Sequence, residues 1–256
     1  MNDGPLLSVA DLSVEFGGVR ALNDLNLDVA EGKICGLIGP NGAGKTTLFN
    51  CITRTVQPSK GTITYDGIPL LAHSGSDLAA LGIRRTFQNL ALFHSMDVRT
   101  NVLSGAYTQG RAGWLRALAH IGVRREEQRL REVTDRALEL VGLSQVARSN
   151  VNELPFGTLK RVELARALVS QPKLLLLDEP ANGLRESEVD DLGDLILRIR
   201  ADQGLTMVVV EHHVRLVMRL SDSVAAMASG IMLTHGAPAE VRNHPQVVRV
   251  FLGDAA

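Results

Sequence analysis

Gly39-Pro40-Asn41-Gly42-Ala43-Gly44-Lys45-Thr46 has the pattern G-x-x-x-x-G-K-[ST], and its flanks decide how it reads. Before it, Lys33–Ile38 is a mostly apolar run of strand length. After it, Lys45–Ile52 has helical spacing, with Leu48 and Ile52 on one face. A glycine-rich turn between a strand and a helix is the context in which this pattern binds phosphate. Gly42 and Gly44 let the backbone curl so that successive N–H groups point inward at phosphate oxygens. The helix that follows adds its positive N-terminal end. Lys45 offers a charge to the β- and γ-phosphates, and Thr46 a hydroxyl ligand for Mg2+. The loop therefore predicts ATP binding.

On the N-terminal side, Leu6–Leu12 reads as a strand, and Leu25, Leu27 and Val29 alternate with polar residues at period two. Thr62–Tyr65 runs into Asp66-Gly67, a hairpin turn signal because both positions tolerate positive φ. From about Asp97 to Asn152 the pattern turns mainly helical. Arg124–Val141 carries Leu130, Val133, Leu138 and Val141 near helical spacing, while Gly110–Gly122, with the sole Trp114, breaks the pattern. After this insertion the α/β rhythm returns. Leu159–Val169 and Glu186–Ile199 read as helices, Lys173–Leu177 and Thr206–Val210 as strands. Ser223–Ala228 and Ile231–Thr234 read as short strands, with small helices after Pro238 and Pro245. Continuous Leu/Val runs separated by helices predict a parallel sheet buried on both faces.

Composition bounds the rest. The chain has 256 residues, a net charge of −1 and 45% hydrophobic residues, ordinary for a globular protein with one large domain or one domain carrying an inserted subdomain. No basic field points to nucleic acid as a partner. Cys35 and Cys51 sit in apolar segments at no metal-type spacing and read as buried thiols. No secretory signal is evident at the N-terminus, and no apolar run approaches the roughly 20 residues that span a bilayer.

Two further strand ends carry polar groups. Leu174-Leu175-Leu176-Leu177 leads into Asp178-Glu179-Pro180, placing two acids at the carboxyl edge of a buried strand, where open α/β sheets bind ligands. Such acids also cap helices; beside the phosphate loop, Asp178 reads as a Mg2+ ligand and Glu179 as the group that polarises the attacking water. Met207-Val208-Val209-Val210-Glu211-His212 likewise ends in a polar group, so His212 is expected in the same crevice, and His213 in solvent. Gln88, after Ile83-Arg84-Arg85-Thr86-Phe87, lies between core and insertion, where it can reach both metal and insertion; by itself it reads as a loop residue. Phe16, before Gly17-Gly18, can offer an aromatic face to adenine, although taken alone it reads first as a core residue.

In this order the pieces resemble the ATPase subunit of an ABC transporter over essentially the whole chain. The resemblance implies an α/β fold: a P-loop NTPase core with a parallel sheet, an N-terminal antiparallel β subdomain, a helical subdomain inserted at 89–153 and a short helical extension at 235–256. It implies that Phe16 stacks on adenine, and that Gly39, Pro40, Asn41, Gly42, Ala43, Gly44, Lys45, Thr46 and Thr47 hold ATP. Thr46, Gln88 and Asp178 would hold Mg2+, and Glu179, His212 and Gln88 would serve hydrolysis.

The family's signature, L-S-G-G-Q, aligns with Leu154-Pro155-Phe156-Gly157-Thr158, which would face the ATP of a second subunit. Here Pro155 replaces the serine and offers no donor. Arg185 replaces a usual aspartate after Ala181-Asn182-Gly183-Leu184. Both departures concern groups offered to the partner's site. The signature type, Glu211-His212 leading to Val217-Met218, and the ending Gly236-Ala237-Pro238…Asn243-His244-Pro245…Phe251-Leu252-Gly253 resemble the ATPases of branched-chain (hydrophobic) amino acid importers. The implied partners are a second ATPase subunit, identical or different, integral membrane permeases and, indirectly, an extracytoplasmic solute-binding protein, with no nucleic acid. The implied location is the cytoplasmic face of the inner membrane, held peripherally. Two other readings stay open: a non-hydrolysing regulatory ATP-binding partner, suggested by Pro155, Thr158 and Arg185, and a soluble ABC-type ATPase unconnected with transport.

Overall fold

The computed structural model describes residues 4–86, 90–106 and 123–252. In chain order these form β1 (Leu7–Phe16), β2 (Val19–Val29), β3 (Ile34–Ile38), α1 (Lys45–Ile52), β4 (Lys60–Tyr65), β5 (Ile68–Pro69) and β6 (Ile83–Arg85). Next come α2 (Val98–Ser104), α3 (Val123–Leu140), α4 (Phe156–Leu168), β7 (Leu174–Asp178), α5 (Glu186–Gln203) and β8 (Thr206–Val210). The series ends with α6 (Val214–Leu220), β9 (Ser223–Ala228), β10 (Ile231–Gly236), α7 (Pro238–Arg242) and α8 (Pro245–Leu252). No helix among the described residues is long and apolar enough to cross a membrane.

The strands build two sheets. One is antiparallel, in the order β2-β1-β4-β5; the other runs β10-β9-β3-β8-β7-β6, with all neighbours parallel except the β9–β10 hairpin. Every residue of β3, β7 and β8 is buried. This is why their sequences are unbroken apolar runs: both faces of a parallel sheet are covered. One face packs with β1, β2, β4 and α1, through Leu37, Leu48, Phe49 and Leu176. The other packs with α2 to α6, through Val102, Leu138, Val162, Leu175, Ile196 and Val209. Thus α2 and α3, between β6 and α4 in the chain, share their core with α4 and α5.

The Asp66-Gly67 turn has φ of 49° and 75° and joins Tyr65 to Ile68, the hairpin its sequence predicts. Other elements differ from expectation. Strand β1 continues past Leu12 to Phe16 because register shifts between Val9 and Val14 break the strict alternation by which a strand is read. Strand β6 was not anticipated: three residues, two of them arginine, pair with β7 at the edge of the sheet. Helix α4 starts at Phe156 rather than Leu159. Pro155 stands at its N-cap, and the Pro155 carbonyl accepts the N–H of Thr158 (2.9 Å) and of Leu159 (3.1 Å). Proline suits a helix start, where no donor is needed. The interrupting stretch with Trp114 lies outside the described residues.

Gly36, mid-way along β3, faces α6 so closely that a Cβ there would lie 2.2 Å from Val217 Cγ1 and 2.6 Å from Ser221 Oγ. Overpacking a tight core costs about 1–3 kcal/mol. Gly36→Ala is therefore expected to lower the urea unfolding midpoint with an unchanged m-value; a midpoint equal to wild type would show that α6 moves aside freely.

Candidate active site

Where β3 ends, the chain must turn into α1 through a space that side chains cannot share. A Cβ on Gly39 would lie 2.3 Å from the Met227 carbonyl oxygen, and one on Gly44 2.7 Å from that of Ala21. Gly44 (φ 102°) is also the N-cap of α1, and its lack of a side chain leaves the first N–H groups of the helix without a side-chain cap. Thr46 is exposed at this end and Thr47 half-buried. Pro40, Asn41 and Gly42 are exposed, while Ala43 is buried beneath them. The result is a cradle of backbone donors suited to an anion.

Lys45 is buried, and its Nζ donates to the Gly39 carbonyl (2.7 Å) and the Pro40 carbonyl (3.0 Å). The lysine thus spans its own loop. Burial pulls its pKa below the ordinary lysine value, against the opposing pull of the Glu179 and Asp178 carboxylates.

The register Asp178↔Val210 sets the ends of β7 and β8 side by side. Beyond that point Glu179 has a φ of 50°, a left-handed backbone that a non-glycine residue adopts only where its surroundings enforce it. Its N–H continues the ladder to the Val210 carbonyl (2.9 Å). Glu179 Oε1 lies 2.8 Å from His212 Nε2, and Asn182 Nδ2 donates to Oε2 (3.4 Å). Glu179 and His212, each read from the sequence as standing at a strand end, are thus in contact. His213 is exposed, as expected.

Asp178 is only 3% exposed, so its charge needs a partner. That partner is Arg85 of β6, whose Nη2 donates to Oδ2 at 2.6 Å. Arg85 Nη1 donates to Asn50 Oδ1 on α1 (2.7 Å), and its guanidinium lies 5.5 Å from the Phe49 ring centroid. One side chain therefore joins the helix of the phosphate loop to the aspartate. Sequence reading missed Arg85; the available signal was a cation in the run leading to Gln88, on a strand too short to recognise. Gln88 lies outside the described residues.

Phe16 ends β1 at 51% exposure, which overturns its first reading as a core residue and leaves its ring open to a ligand. The segment Leu154 to Thr158 lies at the start of α4. A Cβ on Gly157 would approach Glu188 Oε1 to 2.9 Å, and one on Gly183 the Phe156 ring to 2.8 Å. The signature-like segment thus packs against the loop that follows Glu179. Phe156 is itself 45% exposed, with Lys160 Nζ 5.6 Å from its ring centroid. Cys35 and Cys51 are buried free thiols, both raised to a pKa of about 11 chiefly by burial. They have the inert character their sequence settings suggest.

A glycine loop, a buried aspartate and a Glu–His pair at one edge of a parallel sheet define a nucleotide-hydrolysing cassette. Comparison with known proteins agrees. Residues 22–182 match the family model described as ABC transporter, and residues 232–256 the one described as branched-chain amino acid ATP-binding cassette transporter. The chain is 41% identical to LivG of Salmonella typhimurium, a high-affinity branched-chain amino acid transport ATP-binding protein, over 98% of this chain and 99% of that one. It is 38% identical, at the same coverage, to BraF of Pseudomonas aeruginosa, which bears the same description. Among solved structures, the ADP conformation of an ATP-binding cassette of an ABC transporter superposes with a TM-score of 0.84 at 28% identity, covering 97% of this chain and 99% of that one. The chain belongs to the ABC transporter family, as an ATPase of that family.

The Arg85–Asp178 pair makes a test of the site's construction. Removing one partner of a buried ion pair leaves a bare charge and costs about 3–5 kcal/mol. Arg85→Met is expected to lose stability on this scale in chemical denaturation, and adding Asp178→Asn is expected to restore a large part of it. Additive losses in the double variant would mean that the two residues do not depend on each other.

Proposed function

We propose that this chain is the ATP-hydrolysing subunit of an importer that takes up branched-chain or other hydrophobic amino acids. The observation that carries the hydrolytic reading is the 2.8 Å approach of His212 to Glu179 at the edge where the phosphate loop and Asp178 also end. The solute class rests on the match of the C-terminal segment and on the relatives' descriptions; the solute itself would be selected by other subunits.

In this reading the loop from Gly39 to Thr47 wraps the phosphates, with Lys45 turning from its own carbonyls to the β- and γ-phosphate oxygens. Phe16 stacks on adenine. Mg2+ suits the donor set, since the Thr46 hydroxyl and the Asp178 carboxylate are hard oxygen ligands, with Gln88 a third; bound there, the ion would neutralise charge on the β- and γ-oxygens. Glu179 accepts a hydrogen bond from the attacking water, which forms the new bond to the γ-phosphorus as the bond to the β-phosphate oxygen breaks. His212 holds the Glu179 carboxylate in place and reaches the γ-phosphate. The start of α4, where Pro155 and Phe156 are exposed and Gly157 and Thr158 half-buried, faces the ATP of a second ATPase subunit. ATP then closes the pair, because the closed state alone makes both sets of contacts. The helices within 89–153 and the Gln88 loop pass that motion to permease subunits at the cytoplasmic face of the membrane.

Lys45→Ala is expected to abolish ATP binding measured by equilibrium titration. Glu179→Gln is expected to bind ATP as wild type does while steady-state turnover falls about 10²–10⁴-fold, the usual worth of a general base. Turnover of Glu179→Gln within a few-fold of wild type would remove Glu179 from the reaction. Absence of turnover in wild type with its partner ATPase would favour the regulatory reading.

A further inference from the structure

Glu211 takes no part in the chemistry above, yet it is a carboxylate at 2% exposure in the middle of the site's framework. It accepts three hydrogen bonds, all from backbone amides. Oε1 accepts the Ala181 N–H (2.6 Å), and Oε2 the N–H groups of His212 (2.9 Å) and His213 (3.3 Å). Ala181 lies two residues beyond Glu179 in the loop after β7, while His212 and His213 open the loop after β8. One side chain therefore bonds to both loops whose side chains meet at Glu179 and His212.

The connections close a ring. From Glu179 the chain runs through Pro180 to the Ala181 amide, then to the Glu211 carboxylate, the His212 amide, the His212 ring and back to Glu179 Oε1. The left-handed backbone of Glu179 is held from the same side, since its own N–H bonds to Val210, the residue before Glu211. Strained backbone persists only where its neighbours over-determine it, and here bonds from β8 and its following loop flank Glu179 on both sides. A side chain that merely filled space would be apolar; a buried carboxylate with charge-assisted bonds to three amides fixes distances instead.

We propose that Glu211 is a positioning residue that sets the spacing of Glu179 and His212 and links the two loops, so that movement of one is felt by the other. The proposal rests on the hydrolytic reading of Glu179 and His212. The test compares ATP turnover of the full chain, under conditions that give wild-type turnover, for Glu211→Gln, Glu211→Asp, His212→Ala, Glu179→Gln and the double variant Glu211→Gln/His212→Ala. Glutamine keeps the volume but turns a donor toward one of the amides. Aspartate keeps the charge but is too short to bond to both loops at once.

A misplacement of about 1 Å can cost on the order of 100-fold. Both Glu211 variants are expected to lose about 10- to 100-fold in kcat, with KM for ATP within about twofold and one ATP bound per chain. The double variant is expected to match His212→Ala alone within about threefold, because residues that act as a unit do not add. A purely structural role would instead lower the ATP-binding fraction and multiply with His212→Ala. Either that pattern, or wild-type kcat in both Glu211 variants while His212→Ala and Glu179→Gln are impaired, overturns the proposal. If His212→Ala and Glu179→Gln themselves turn over like wild type, the hydrolytic reading falls first and this proposal with it.

Discussion

The site depends on the parallel register of three buried strands. Ile34 pairs with Met207 and Leu37 with Val210 across β3 and β8, and Asp178 pairs with the same Val210 across β7 and β8. With those pairings fixed, the phosphate loop, Asp178-Glu179 and Glu211-His212 all leave the sheet at one edge. Both faces of these strands are buried, so a slip of one residue in any of the three would exchange its side chains between two differently packed cores, and packing on both faces holds the register. The chemistry inherits its geometry from packing that has nothing to do with the ligand.

Bringing charges to the end of a buried sheet has a cost, and the structure meets it with specific partners. Asp178 is compensated by Arg85, Glu211 by three amides, and Lys45 by two carbonyls of its own loop. Each compensation also ties one element to another: β6 and α1 to β7, the loop after β7 to the loop after β8, α1 to the end of β3. In the proposed function, Lys45 exchanges these two carbonyls for phosphate oxygens when nucleotide binds.

The core of this arrangement was legible in the sequence, because it is written locally. The phosphate loop is a contiguous pattern, and buried parallel strands are contiguous apolar runs ending in Asp178-Glu179 and Glu211-His212. What escaped was encoded across distance or in short pieces. Arg85 becomes meaningful only when β6 lies beside β7, 93 positions away at Asp178. Glu211 acquires its partners only when the Ala181 amide, 30 positions back in the chain, is folded beside it. Helix α4 begins three residues before the Leu159 expected from the sequence, with Pro155 as its N-cap and Gly157 in its first turn beside Glu188. Phe16, which by itself suggested core, is exposed because the chain reverses at Gly17-Gly18, both with positive φ, leaving it at the tip of a ribbon.

In the function proposed above, this edge is half of an ATP site, formed by the loop, the aspartate and the Glu–His pair, and the signature-like segment serves the ATP of another chain. Amide hydrogen exchange with and without ATP tests this most directly. In the isolated chain, ATP should protect residues 39–47 and leave 155–158 unchanged; protection at 155–158 should come only when a second ATPase subunit is added. Protection of 155–158 by ATP in a demonstrably monomeric chain, or none at 39–47 under saturating ATP, would contradict it.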